Sequence, residues 1–225
     1  WYTSMYGHCH PKIKKAVSKQ MDKLDQVVFS GFTHQPAVEL AEKLIKILPS
    51  NQAKLFFNDN GSTATEIGIK MALQYHHNQG NQRNIMLAFE EGFHGDTFGA
   101  MSVSGLSVYN GAFEKHFIEV LRLPKPNGNN NEEVLIKLQQ YINDYAIAGF
   151  IYEPLIQGAA AMKTYSKVGL EDILKICKKN NVICIADEVM TGFGKTGKTF
   201  ASDYLQTKPD VICLSKALSA GMVPM

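Results

Sequence analysis

Two apolar runs near the end of the sequence each stop on a side chain able to do chemistry. Ile183-Cys184-Ile185-Ala186 ends on Asp187-Glu188, and Val211-Ile212-Cys213-Leu214-Ser215, entered from Asp210, ends on Lys216. An apolar run that stops abruptly on a charge reads as a buried parallel strand, and open α/β sheets bind ligands at the carboxyl ends of such strands. One strand therefore brings a carboxylate and the other an amine to the same edge. Pyridoxal phosphate (PLP) requires that pair. Its ring draws electrons only while the pyridine nitrogen stays protonated, which an adjacent carboxylate ensures, and a lysine holds it as a Schiff base. Charged residues also cap strands for structural reasons alone, and the pair by itself leaves that reading open.

Other segments add candidate binding groups. Asn60-Gly61-Ser62 lies where a strand signal gives way to a helix signal. Glycine lets backbone approach an anion closely, the free N–H groups of a helix start face it, and Ser62 adds a hydroxyl. A plain N-cap would look the same locally. Gly92-Phe93-His94-Gly95-Asp96-Thr97 could lay the Phe93 face on a flat ring, or could hold a core Phe beside a satisfied His. Gly7-His8-Cys9-His10 has metal-ligand residue types but no second ligand group nearby, so a turn is the better reading and no metal is expected. His76-His77 reads as a solvated helix flank.

Gly192 to Thr199 matches the phosphate-binding pattern G-x-x-x-x-G-K-[ST] letter for letter, which would make the chain a P-loop kinase or NTPase. Its context argues otherwise. The preceding strand stops at Asp187-Glu188, with Val189-Met190-Thr191 before the first glycine, and only a weak helical stretch follows in Phe200 to Leu205. The next strand ends on Lys216, where a magnesium-binding strand should end on Asp.

Positioning these groups requires alternating strands and helices. Helical spacing runs from Pro11 to Leu24, Pro36 to Leu48, Ser62 to His77, Glu132 to Tyr145 and Val168 to Lys179; the first two open on proline, a favoured first-turn residue. Leu55-Phe56-Phe57, Ile85 to Phe89 and Gly149 to Glu153 read as strands, with Asn127 to Asn131 as a surface loop. The alternation predicts βαβ units, hence an α/β chain with a mostly parallel sheet flanked by helices. No internal repeat or interdomain linker interrupts it.

The bulk numbers exclude several classes. With 23 basic and 21 acidic residues among 225, and no basic block, neither nucleic acid nor an acidic membrane surface is an expected partner. No segment approaches the roughly 18 apolar residues of a membrane span. Cys9, Cys177, Cys184 and Cys213 are scattered without a C-x-x-C pair, which predicts reduced thiols and a cytoplasmic protein.

Taken together, Asp187-Glu188, Thr191-Gly192-Phe193-Gly194-Lys195-Thr196-Gly197 and Ser215-Lys216-Ala217 resemble the class III (ω-) aminotransferases, PLP enzymes of fold type I. Trp1-Tyr2, Ser30 to Ala37, His94 to Val103 and Gln157 to Met162 are most similar to the branch serving biotin synthesis. The resemblance covers essentially the whole chain. It implies that Lys216 is the Schiff-base lysine, Asp187 the partner of the pyridine nitrogen, and Gly61 with Ser62 the phosphate-binding pair. Trp1, Phe93 and Lys216 would contact substrate, and Phe93 would also stack on the cofactor. Phe93 stands where this branch usually has tyrosine, Met190 where many class III members have glutamine, and Tyr2 where a second tryptophan is commoner.

The implied reaction moves an amine to 8-amino-7-oxononanoate, giving 7,8-diaminononanoate, in a homodimer with a shared active site; the donor implied is S-adenosylmethionine, with lysine, used by some members, as the alternative. Ornithine, GABA or a diamine would be substrates in other branches, and a non-catalytic remnant that only binds or dimerises is the remaining alternative. Residues 1–30 would approach from an N-terminal segment and residues 31–225 would form most of the PLP-binding large domain. A chain starting on Trp1 and stopping after Lys216 reads as an internal piece, its C-terminal domain absent, which alone need not be active.

The P-loop look-alike sets the first test. ATP should not bind through Lys198: calorimetry should show no magnesium-dependent binding heat that Lys198→Ala removes.

Overall fold

The computed structural model describes residues 2–225, so Trp1 lies outside the described residues. Helix α1 (Pro11–Met21) and helix α2 (Gln35–Ile47) precede the sheet, each with proline in its first turn. Helix α3 (Gly61–Asn78) leads to β1 (Ile85–Phe89), the short helix α4 (Phe98–Val103) and β2 (Val120–Leu123). Helix α5 (Asn131–Asp144) and β3 (Ile147–Tyr152) come next, followed by a two-residue hairpin of β4 (Ile156–Gln157) and β5 (Lys163–Thr164). Helix α6 (Lys167–Lys179), β6 (Ile183–Asp187) and β7 (Val211–Cys213) complete the elements.

The main sheet has the order β2-β1-β3-β6-β7, and every pair in it is parallel. Its central strands β1 and β3 are apolar and buried along their whole length because both faces are covered. Leu87 and Phe89 of β1 point into a core shared with Leu138 of α5 and Ile173 of α6. Met86 and Ala88 of the same strand point to the other face, where Ile69 and Ala72 of α3 pack. Alternation along one strand thus serves two hydrophobic layers.

Helix α3 packs on the sheet through small residues that leave no room for a side chain. A Cβ on Gly68 would sit 3.2 Å from Ile185 Cγ2 and 3.4 Å from Cys213 Sγ. Opposite it, a Cβ on Gly149 would meet Met86 Cε at 2.9 Å and the Ile183 carbonyl at 3.1 Å. This close seat sets where the start of α3 reaches the carboxyl edge of the sheet.

The parallel sheet, the central strands and the five long helices match the expectation from sequence, with ends differing by up to three residues. Three expectations fail. Leu55-Phe56-Phe57 forms no strand: it meets no backbone ladder among the described residues, Phe57 stacks on Phe29, and Phe56 stays exposed. The strand expected from Asp210 to Lys216 keeps only Val211–Cys213, the residues that pair with β6. His76 is not solvated; it is fully buried, with Nε2 3.0 Å from the Ala148 carbonyl, while His77 is exposed. Four of these elements escaped the sequence reading: β2, α4 and the two-residue strands β4 and β5. Arg122 breaks the apolar run of the first, and six residues are too few for the second to show a period.

Among the described residues no helix is long and apolar enough to cross a membrane, no group of three His, Cys, Asp or Glu gathers as metal ligands, and the four cysteines are free.

Gly149→Val forces a side chain between β3 and α3. It should cost about 1–3 kcal/mol through overpacking, read as a lower urea midpoint with unchanged slope.

Candidate active site

The strand order reverses direction between β1 and β3: β2 lies to one side of β1, while β6 and β7 follow beyond β3. Loops leaving neighbouring strands diverge at such a switch point and leave a crevice at the carboxyl edge. A cavity of about 1000 Å³ opens there, and its lining includes Gly61, Ser62, Phe93, Glu153, Asp187 and Lys216. The described residues among those expected from sequence are therefore brought to one place; Trp1 lies outside the described residues.

Asp187 is the last residue of β6, almost fully buried, and held at both oxygens. His94 Nδ1 lies 2.7 Å from Oδ2, and the Val189 N–H donates to Oδ1 at 3.1 Å. His94 is itself buried, its backbone N–H bonded to Ser104 Oγ. Phe93, its neighbour, turns the other way and stays half exposed on the cavity wall.

The opposite wall is the start of α3. Asn60 and Thr63 form a reciprocal cap, the Asn60 side chain accepting from Thr63 N–H at 3.1 Å and the Thr63 hydroxyl accepting from Asn60 N–H at 2.9 Å. The N–H groups of Gly61 and Ser62 are left with no acceptor among the described residues, at the positive end of an 18-residue helix. Any Cβ on Gly61 would fall 2.9 Å from Val189 Cγ1. Gly95, with φ of 132°, presses against Ser62 so closely that a side chain there would collide with it. Both glycines are steric requirements of the cavity wall.

Lys216 follows β7 and opens a short 3₁₀ turn, Lys216–Ser219, in the left-handed region at φ 43°. A non-glycine residue held there stores strain of order 1–3 kcal/mol. Among the described residues Lys216 has no ion-pair partner, and it lines the cavity. Tyr2 and Met190, two departures from the common pattern, line the same cavity.

Two further buried carboxylates flank Asp187. Glu153, one residue past β3, accepts from the N–H groups of Phe93 at 3.1 Å and Gly158 at 2.8 Å. Glu188 accepts from the Thr191 hydroxyl at 2.5 Å, Ala201 N–H at 3.0 Å and Ser202 N–H at 2.7 Å. Burial pushes both carboxyls above the usual carboxylate range, with the hydrogen bonds opposing that rise.

The phosphate-loop look-alike is closed on itself. Gly194 N–H donates to the Thr199 carbonyl, Gly192 N–H to the Glu188 carbonyl and Gly197 N–H to the Gly194 carbonyl. Lys198 Nζ bonds the Asp203 carbonyl and sits over the Tyr204 ring, 4.5 Å from its centroid. Only a four-residue 3₁₀ turn, Ala201–Tyr204, follows, so no helix start points into the loop.

A family model described as aminotransferase class-III matches residues 1–225. The chain belongs to the class III aminotransferase family. It is 42% identical over 233 residues to the adenosylmethionine-8-amino-7-oxononanoate aminotransferase of Synechococcus elongatus, covering 100% of this chain and 55% of that protein. The protein of the same name from Staphylococcus aureus is 38% identical over 240 residues, covering 100% and 53%. Among solved structures, the adenosylmethionine-8-amino-7-oxononanoate aminotransferase of Methanocaldococcus jannaschii superposes with a TM-score of 0.90 at 35% identity, covering 99% of this chain and 52% of that one. A PLP-bound amine transaminase from an uncultivated Pseudomonas species gives 0.92 at 28% identity, covering 99% and 54%. The chain spans about half the length of the curated relatives it matches. The architecture is the fold type I α/β fold of PLP-dependent transaminases.

Within this class III aminotransferase chain, sequence reasoning left three groups without a role at the cavity: His94, Glu153 and Glu188. The signal for the two acids was their place at strand ends; that for His94 was its position between glycines next to Phe93. Glu188 has the most local task, joining β6 to residues 201–202 across the intervening loop. Glu188→Ala would strand two buried N–H groups and cost about 2–4 kcal/mol. Urea unfolding measures that loss, and limited proteolysis should find new cleavage within residues 191–200.

Proposed function

We propose that the chain belongs to a PLP-dependent aminotransferase that converts 8-amino-7-oxononanoate to 7,8-diaminononanoate in biotin synthesis, with S-adenosylmethionine as amino donor. The convergence of Asp187, Lys216 and the start of α3 on one cavity carries this reading. The names of the most similar relatives support the substrate and donor. Residues 31–225 are read as most of the PLP-binding large domain and residues 1–30 as the approach to it. The enzyme is read as a cytoplasmic homodimer with a shared active site, a reading with which the four free cysteines agree.

The residues present fit a flat phosphorylated pyridine. Gly61 and Ser62 offer uncommitted N–H groups at a helix start, room for a phosphate where a Cβ could not stand. Phe93 offers a ring face, Asp187 a buried carboxylate for the ring nitrogen, and Lys216 an amine for covalent attachment. When bound, the cofactor supplies an electron sink for the pair left on the carbon that bears the amine.

The protein's own groups do the rest. Asp187, fixed by His94 and Val189, holds a proton on the ring nitrogen without reorganising as charge develops. Lys216 Nζ, with no ion-pair partner among the described residues, would take the proton from the amine-bearing carbon and return it one position away. Phe93 and Met190 keep that region apolar, which strengthens every charge interaction inside it. Trp1 enters as a substrate contact on sequence resemblance alone.

Borohydride reduction of the intact enzyme followed by peptide mapping should label Lys216; a label on Lys195 or Lys198 would sink the assignment. Lys216→Ala should abolish turnover while PLP still binds non-covalently. Asp187→Asn keeps the shape but removes the charge, and should cost on the order of 10²-fold or more in rate. Faster turnover of ornithine, GABA or a diamine than of 8-amino-7-oxononanoate would move the enzyme to another branch.

A further inference from the structure

Glu153 is a buried carboxylate that the chemistry above does not use. It lies one residue beyond the paired Tyr152 and Ala186, hence beside Asp187 at the carboxyl edge of the sheet, and is 5% exposed. No cation is paired with it among the described residues. Its main chain is anchored from behind, the Tyr165 hydroxyl donating to its carbonyl while Tyr165 packs edge-on against Phe89. Pro154 follows, so the side chain leaves a fixed backbone.

Its two oxygens serve different walls of the cavity. Oε1 accepts from Phe93 N–H at 3.1 Å in the loop after β1, and Oε2 accepts from Gly158 N–H at 2.8 Å beside the β4–β5 hairpin. Neither N–H has a strand partner among the described residues. The same two walls are tied once more, by Gln157 Nε2 donating to the Glu90 carbonyl at 2.9 Å. A Cβ on Gly158 would fall 3.0 Å from Met190 Cε, so a side chain there would press on the Met190 end of the same cavity.

The choice of residue type is informative. Two N–H donors from separate loops converge on one group, which must therefore accept at both ends. An ionised carboxylate is acceptor-only; a carboxamide of the same shape offers one acceptor and one donor, and so opposes one of the N–H groups. Burying a carboxylate without a cation is costly, and a neutral glutamine would avoid that cost if only volume were needed. We propose that Glu153 is a positioning residue whose two oxygens set the separation of the two cavity walls and thereby the seat of the Phe93 ring. This rests on the reading of Phe93 as a cofactor-stacking residue, and makes Glu153 a determinant of cofactor retention without touching the cofactor.

The test is a double-mutant cycle in the intact enzyme, with PLP dissociation constants measured spectroscopically for the parent, Glu153→Gln, Phe93→Ala and the double variant. Each single change should weaken PLP binding about tenfold, and the double variant should be no weaker than the worse single. Multiplying losses would show that Glu153 acts independently of Phe93 and would overturn the proposal, as would an unchanged constant in Glu153→Gln. A second readout needs no cofactor. In PLP-free protein, amide hydrogen exchange at Phe93 and Gly158 should speed up about tenfold in Glu153→Gln; unchanged exchange at both overturns the proposal. Failure of the parent to bind PLP, with faster exchange in the variant, would instead remove the aminotransferase reading and leave the tether intact. Should Glu153→Gln not fold, Glu153→Asp repeats both measurements: it keeps two acceptors on a shorter arm, and loss of protection at one wall is expected. Equal protection at both walls in that variant counts against the proposal.

Discussion

A parallel sheet covered on both faces leaves polar side chains only at the ends of its strands, and there they stand side by side with little water to satisfy them. In this chain three acids meet that constraint at neighbouring strand ends: Glu153 after β3, then Asp187 and Glu188 at the end of β6. All three are nearly or fully buried, and an unpaired buried carboxylate is costly enough that each must find hydrogen-bond donors. The donors they find are the loops themselves. Glu153 takes N–H groups from two cavity walls, Glu188 takes those of Ala201 and Ser202, and Asp187 takes His94 and the Val189 N–H. The need to satisfy buried charge thus arranges the loops that form the cavity.

The same constraint explains why Gly192 to Thr199 spells a phosphate loop and does not build one. A nucleotide loop presents successive free N–H groups at a helix start. Here the glycine N–H groups are consumed by the Thr199, Gly194 and Glu188 carbonyls, and the residues just past its far end are fastened to the Glu188 carboxylate. The anion-binding end of a helix exists elsewhere, at Gly61 and Ser62, where the reciprocal cap uses the N–H groups of Asn60 and Thr63 and leaves those of Gly61 and Ser62 uncommitted among the described residues. Where a helix starts, and what fills its first turn, separates the two segments.

Strain and close packing are concentrated around the same cavity. Lys216 sits at φ 43° and Ala220 at φ 54°, on either side of one short turn. Gly61 and Gly95 bring backbone to distances that no side chain permits. Such features persist only where the surroundings over-determine them. Here those surroundings are the seat of α3 on β6 and β7 through Gly68, and the pairing that ends β7 at Cys213.

Sequence by itself determined the alternation of strands and helices, the parallel sheet, and Asp187 and Lys216 as strand-end groups, because continuous apolar runs and helical periods are local properties that a covered sheet demands. It also marked Gly61, Ser62 and Phe93 through glycine-bounded turns between elements. Only the tertiary structure decided partnership. Leu55-Phe56-Phe57 has the composition of a strand, yet a strand needs a ladder that composition cannot supply, and aromatic stacking on Phe29 took its place. His76 looks like a surface residue in a helix, and it is buried because the Ala148 carbonyl lies where its ring can reach. His94, Glu153 and Glu188 gain their roles from residues up to 93 positions away in the chain, and no spacing rule spans that distance. Buried polar groups are satisfied by whatever donor the fold brings near, so their identity is legible in sequence while their function waits on the packing.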